Sequence, residues 1–139
     1  MMAENVIELR ARPETEKITV NLGFVDLGHV DLLVREGFYS NRTDFIRTAI
    51  RNQLERHGDV LKQNIARKAI DLGLRHYSRK ELEAVRAAGQ TLDLNVLGLV
   101  TIAADVPSEL ARDTISSISV LGALHASADV KAALADRIR

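Results

Sequence analysis

The chain has no cysteine. That removes a disulfide framework, a thiolate zinc site and a cysteine nucleophile together. It has no excess of either charge: 19 basic and 19 acidic residues give a formal net charge of zero, which is not the basic balance usual in a nucleic-acid binder. It has no long apolar run, since the longest uncharged stretch, Thr114 to Ala128, is too short and too serine-rich to span a membrane. The start, Met1-Met2-Ala3-Glu4-Asn5, lacks the basic-then-apolar order of an export signal. His29, His57, His76 and His125 are scattered, none at metal-ligand spacing with a carboxylate or another histidine. There is no glycine-rich phosphate loop and no nucleophile elbow, and carboxylate pairs such as Glu81/Glu83 fall on a helix exterior. The expectation is a non-enzymatic cytoplasmic protein with no metal, cofactor or membrane partner. Its 139 residues make one domain or two small ones.

What is present centres on Lys17 to Leu54. Lys17-Ile18-Thr19-Val20-Asn21-Leu22 alternates polar and apolar residues, the period of a half-buried strand. Ile18, Val20 and Leu22 share one face, and Lys17, Thr19 and Asn21 share the other. After Gly23-Phe24, the spacing of Leu27, Val30, Leu33 and Val34 predicts an amphipathic helix that ends at a left-handed Gly37. Asn41 as N-cap with Asp44 three residues on is a variant of the capping box. It opens a second helix whose apolar face carries Phe45, Ile46, Ala49, Ile50 and Leu54.

A lone six-residue strand leaves its backbone donors and acceptors unpaired. Two amphipathic helices and one strand are also too little chain to close a core. A second copy solves both problems if the two strands pair antiparallel about a two-fold axis with the helices intertwined beneath them. The dimer core would then hold Ile18, Val20, Leu22, Leu33, Phe45, Ile46 and Ile50.

Over about residues 16 to 56 the chain resembles the ribbon-helix-helix DNA-binding proteins of the Arc/MetJ/CopG type. The resemblance rests on the alternating strand, the Gly37-Phe38-Tyr39 helix end and Asn41-Arg42-Thr43-Asp44-x-Ile46-Arg47 opening the second helix. It implies a homodimer on double-stranded DNA, with Lys17, Thr19 and Asn21 as base readers in the major groove, where a two-stranded ribbon fits. The bland alternative is that these three form the solvated face of a strand. Phosphate contacts are expected from Ser40, Asn41, Arg42 and Thr43, at the start of a helix whose first amides lack internal partners. Arg47 and Arg51 either add attraction to phosphate or form a solvated face. The expected function is a transcriptional repressor in a bacterial cytoplasm or nucleoid. The alternatives are an antitoxin holding a toxin through its C-terminal half, or an assembly protein that uses the ribbon only to dimerise.

The organisation expected from the sequence is an arm over 1–16, a ribbon-helix-helix domain over 17–58, a connecting helix over 59–73 and a β/α module over 74–139. In the arm, Arg10 and Arg12 either touch DNA or belong to a mobile segment in which Glu4, Glu8, Glu14 and Glu16 oppose them. The connecting helix rests on the stripe Val60, Leu61, Ile65, Ala69 and Leu72. The module carries an internal repeat at an offset of 24: Leu94-Asn95-Val96-Leu97-Gly98 matches Ile118-Ser119-Val120-Leu121-Gly122. Strands over Leu92–Ile102 and Ser116–Ala126 are expected to pair in parallel through a helical crossover. A degenerate first unit holds a strand at Leu74-Arg75-His76-Tyr77 and a helix capped by Ser78 and Glu81. Gly98 and Gly122 suggest a bend, a bulge or a close backbone approach. The fold class is therefore α+β. Residues 74–139 either pack on their own chain or associate with further copies, building a higher oligomer.

Overall fold

The computed structural model describes residues 15–139. The arm expected over 1–16, with Arg10 and Arg12, lies outside the described residues except for its last two. The described chain forms two compact units, 15–66 and 67–139.

In the first unit, residues 16–22 form no helix and carry no ladder, because no described strand lies alongside them. Helix α1 spans Phe24–Arg35. Its C-terminus closes as the glycine spacing requires: Gly37 takes φ +84, the Gly37 amide donates to the Val34 carbonyl at 3.1 Å, and the Phe38 amide donates to Leu33 at 3.0 Å. This is the paired arrangement that satisfies the last free carbonyls of a helix. Helix α2, Arg42–Arg56, is followed after the single residue His57 by α3, Gly58–Arg67.

Helix α3 is shorter than the sequence pattern implies. It stops at Arg67, Ala69 adopts φ +51, and Asp71–Tyr77 form strand β1. The helical stripe through Ala69 and Leu72 is therefore a coincidence of spacing. Leu72 and Gly73 instead pair with Leu97 and Gly98 of a neighbouring strand, so ladder hydrogen bonds claim residues that the helix would need. The second unit accordingly begins at Arg67 rather than at residue 74.

That unit runs β1, α4 (Arg79–Ala87), β2 (Leu92–Ile102), α5 (Ser108–Thr114), β3 (Ile115–His125) and α6 (Ala128–Ala133). The sheet is parallel, in the order β1-β2-β3. Side-chain caps start two of its helices: Ser78 Oγ accepts from the Glu81 amide at 3.2 Å, and Ser127 Oγ from Val130 at 3.2 Å. Leu94, Val96, Val100 and Ile102 of β2, with Ile118 of β3, point to one face. There they bury Leu82 of α4, Leu110 and Ala111 of α5, Val130 of α6 and Leu134. The buried Thr114 hydroxyl is satisfied by donating to the Leu110 carbonyl at 2.7 Å, one helical turn back. Arg112 holds the chain after α6 by pairing with both Asp136 oxygens at 2.8 and 3.2 Å and donating to the Ala133 carbonyl at 2.7 Å.

Residues 24 apart stand side by side between β2 and β3, from Leu94 beside Ile118 to Thr101 beside His125. One column crosses all three strands: Gly73, Gly98 and Gly122 are in register, with φ of +120, +140 and +123. A side chain at Gly98 would collide with the Gly73 carbonyl oxygen and sit 2.9 Å from its carbon. One at Gly122 would meet the Gly98 carbonyl in the same way, at 3.0 Å from the carbon. The close approach suggested by the sequence is thus a stack of peptide groups over bare Cα atoms. Gly73, at the sheet edge, has only the tip of Arg75 within 4.0 Å.

The expected result is that Gly98→Ala and Gly122→Ala each cost at least about 2 kcal/mol, through backbone strain plus overlap with backbone atoms. Gly73→Ala should cost less than either, about 1–3 kcal/mol from its dihedral alone, because it lacks the overlap that adds to the same strain at Gly98 and Gly122. Thermal melts of the three variants check the ranking, at roughly 4–8 °C per kcal/mol for a unit of this size.

Candidate nucleic-acid interface

The side chains proposed to touch DNA fall into two groups of the first unit. Lys17, Thr19 and Asn21 are all exposed on the segment before α1. So are the apolar residues between them: Ile18 is 73% exposed, Val20 67% and Leu22 45%. Within a single chain, burial does not separate the two faces, because nothing covers either.

The second group is the start of α2. Asn41 is extended, and its side-chain oxygen accepts from the Asp44 amide at 2.8 Å. The Asp44 carboxylate reaches back to the Ser40 amide at 2.9 Å, one residue before the N-cap whose amide the usual capping box would satisfy. The Phe45 amide bonds the Asn41 carbonyl at 3.2 Å. The amides of Arg42 and Thr43, next to the exposed Ser40 and Thr43 hydroxyls, have no partner among the described residues. This leaves two backbone donors at the positive end of a 15-residue helix, the arrangement that binds anions. Tyr39 packs edge-on to Phe45, ring centroids 5.0 Å apart at 87°, and so fixes the turn against the helix it opens. Arg47 lies one turn beyond Thr43 and is exposed.

Arg42 has a partner that the sequence does not show. Its guanidinium forms a two-pronged pair with Asp31 of α1, Nε to Oδ1 at 2.8 Å and Nη2 to Oδ2 at 2.9 Å. That hydrogen-bonded pairing pulls the Asp31 carboxyl below its ordinary value and raises the Arg42 guanidinium. No sequence pattern points to Asp31, because it stands eleven residues away on another helix, at no spacing with a signature. The other charges of this unit divide by helix. Helix α2 carries Arg42, Arg47, Arg51 and Arg56 against Asp44 and Glu55, while Asp26, Asp31 and Glu36 lie in or just after α1 with Arg35. A neutral chain thus still presents a basic helix.

Between α1 and α2 lies an apolar groove of about 420 Å³, walled chiefly by Leu22, Val30, Leu33, Phe45, Ile46 and Ile50. Leu22, Leu33, Phe45, Ile46 and Ile50 of the expected dimer core therefore meet at one place. Ile18 and Val20 do not line it. Val30 is the one buried hydrophobic residue of this unit; the sequence pattern puts it on the α1 stripe without giving it a role in the core.

A family model described as the Ribbon-Helix-Helix transcriptional regulator family matches residues 13–131. The chain belongs to that family. It is thus a DNA-binding regulator by class, and the match carries family membership beyond the ribbon and helices, through the three strands and into α6. No curated protein and no solved structure matches the chain. Among the described residues no helix is long and apolar enough to cross a membrane, and no group of side chains could hold a metal ion.

Two outcomes test this site. Asn41→Ala removes the acceptor of the Asp44 amide and should destabilise the protein by about 1 kcal/mol, as cap removals do, read by denaturant unfolding. Asp31 should titrate below the ordinary aspartate range near 3.9, and Arg42→Ala should return it there, followed by carboxyl NMR. The sign is that of a depressed carboxylate: the pair is intact above the ordinary value and lost as pH falls through the lowered one.

Proposed function

We propose that the chain is a homodimeric repressor that reads the major groove with a two-stranded antiparallel ribbon, one Lys17–Leu22 strand from each copy. The observation that carries this is the incomplete state of residues 15–66. The segment before α1 has no ladder partner, its apolar side chains are exposed, and the groove beneath is open. Pairing with a second copy supplies the missing backbone hydrogen bonds and covers Ile18, Val20 and Leu22 in one step. It also makes Lys17, Thr19 and Asn21 the outward face of a ribbon.

In this reading Asn21 pairs with adenine, Lys17 donates to guanine, and Thr19 bonds a base edge or touches a thymine methyl. The Ser40 and Thr43 hydroxyls with the Arg42 and Thr43 amides clamp a phosphate, with Asn41 shaping the turn, which fixes register without reading sequence. Arg47 adds attraction from the next turn. The Arg42 side chain contributes less than its position suggests, because a phosphate must compete with Asp31 for it.

The test is binding to a fragment of the protein's own promoter, followed by fluorescence anisotropy over a salt series. Affinity should fall steeply with salt, and Asn21→Ala should relax specificity by about 1–3 kcal/mol at one base position without dissociating the dimer. Asp31→Asn frees Arg42. It should raise affinity and steepen the logarithmic salt dependence by roughly 0.9 for each additional phosphate neutralised. Absence of binding to any fragment at low salt would leave the ribbon a dimerisation device only.

A further inference from the structure

The three-stranded sheet has two faces, and the helices α4, α5 and α6 cover only one. On the other face the register aligns three rows. Leu72, Leu97 and Leu121 form one, Leu74, Leu99 and Ala123 the next, and His76, Thr101 and His125 the third. Asn95 and Ser119 border the leucine rows on the far side. Leu72, Leu74 and Leu121 are 58%, 56% and 59% exposed, and none of the six apolar residues packs on the core beneath the sheet. Between Asn95 and Thr101 this face carries no Lys, Arg, Asp or Glu, while the helices opposite carry Arg79, Lys80, Glu81, Glu83, Arg86, Glu109, Arg112, Asp113, Asp129 and Lys131. Parallel sheets are normally covered on both faces. A charge-free apolar centre has the composition of a contact surface rather than of a solvated one.

Two features select the occupant. The first is size. Three strands about 4.8 Å apart, over seven residues at about 3.3 Å each, give a footprint on the order of 300 Å². Stable association between separate molecules needs about 800 Å² per partner. The occupant must therefore already be held close by, where a tether supplies millimolar effective concentration. The second is chemistry. Of the bordering side chains, Asn95 already donates to the Lys68 carbonyl at 2.9 Å, while the Ser, Thr and His side chains can each donate and accept hydrogen bonds. Such a border can meet its own copy across a two-fold axis, whereas a charged partner would find no counter-charge.

We infer that this face packs against the same face of the second chain in the dimer, closing a second two-fold contact distinct from the ribbon. The inference rests on the dimer reading above for its proximity.

Because the chain has no cysteine, single-cysteine variants report the contact without background. Facing sheets lie about 10 Å apart, beyond disulfide reach, so a short bis-maleimide is the probe. Full-length Leu99→Cys should cross-link to a covalent dimer in a yield unchanged by dilution over the range in which sedimentation shows the chain dimeric, while Lys80→Cys on the helix layer should not. Adding Leu121→Glu, at a position exposed in the single chain and with the far-UV circular-dichroism spectrum checking that the fold is kept, should cut the Leu99→Cys yield at least about tenfold, because a carboxylate is strongly disfavoured against leucine. Equal cross-linking at Lys80→Cys, yield that falls on dilution while the chain is still dimeric by mass, or indifference to Leu121→Glu would each overturn the inference. Sedimentation of the unmodified chain separates the two readings. A dimer by mass with no cross-link at Leu99→Cys sinks this contact alone, and a monomer by mass sinks the ribbon dimer as well.

Discussion

Apolar surface that the chain does not cover by itself governs both halves of this protein. Residues 15–66 bury a single hydrophobic side chain, Val30, and leave Ile18, Val20, Leu22, Ile46, Ile50 and Leu54 more than 40% exposed. Each such side chain forgoes a part of the ~1.5–3 kcal/mol that full burial would contribute to folding. Two helices and an unpaired segment cannot recover that, because conformational entropy opposes every residue they order. The second unit is better provided, with twelve buried residues in one cluster, yet its sheet still presents a leucine face to solvent. The first unit therefore covers little of its apolar surface by itself, whereas the second buries one full face of its sheet.

Helix ends are the most legible part of the first unit, because capping is local chemistry. Gly37 and Asn41 act where their spacing places them. The sheet is legible through the repeat: Leu92–Ile102 is strand β2 to the residue, and β3 begins one residue before the position the pattern suggests. Strand β1 is blurred because Ala69 and Leu72 also fit a helical stripe. Only the pairing of Leu72 and Gly73 with β2 decides between periods of 3.6 and 2. That is a tertiary fact, and short apolar patterns leave such choices open. The Asp31–Arg42 pair is invisible for the same reason, since neither residue has a local requirement for the other. The glycine column lies between these cases. Gly98 and Gly122 stand out by their repeat, while Gly73, displaced by one residue from the offset of 24, becomes its third member only through register.

The column also explains why the repeat tolerates so much change elsewhere. Thr101 is matched by His125, Leu99 by Ala123 and Asn95 by Ser119, all on the uncovered face, where size and polarity can drift without opening a cavity. The covered face keeps branched aliphatics, Val96 beside Val120 and Leu94 beside Ile118, because core volume changes are costly. Gly98 and Gly122 leave no room for a side chain, since the neighbouring peptide occupies the place of a Cβ, while Gly73 at the sheet edge is held to glycine only by its dihedral.

Charge balance finally bears on how a neutral regulator could select a site. Sequence-independent affinity comes from phosphate neutralisation, and this chain limits it twice, by matching 19 basic with 19 acidic residues and by engaging Arg42 with Asp31. Weak background binding is not a defect in a reader of sequence. The quantity that matters in a genome is the ratio of specific to non-specific affinity. Under the proposed ribbon, base contacts from Lys17, Thr19 and Asn21 of each strand, at about 1–3 kcal/mol for a good bidentate pair, act against a low electrostatic floor. Raising that floor by removing Asp31 would tighten binding to every sequence alike and leave the ratio of specific to non-specific affinity unchanged. Under the proposed clamp, the pairing of Asp31 with Arg42 would set how tightly the protein holds DNA of any sequence, and the base contacts alone would set which sequence it prefers.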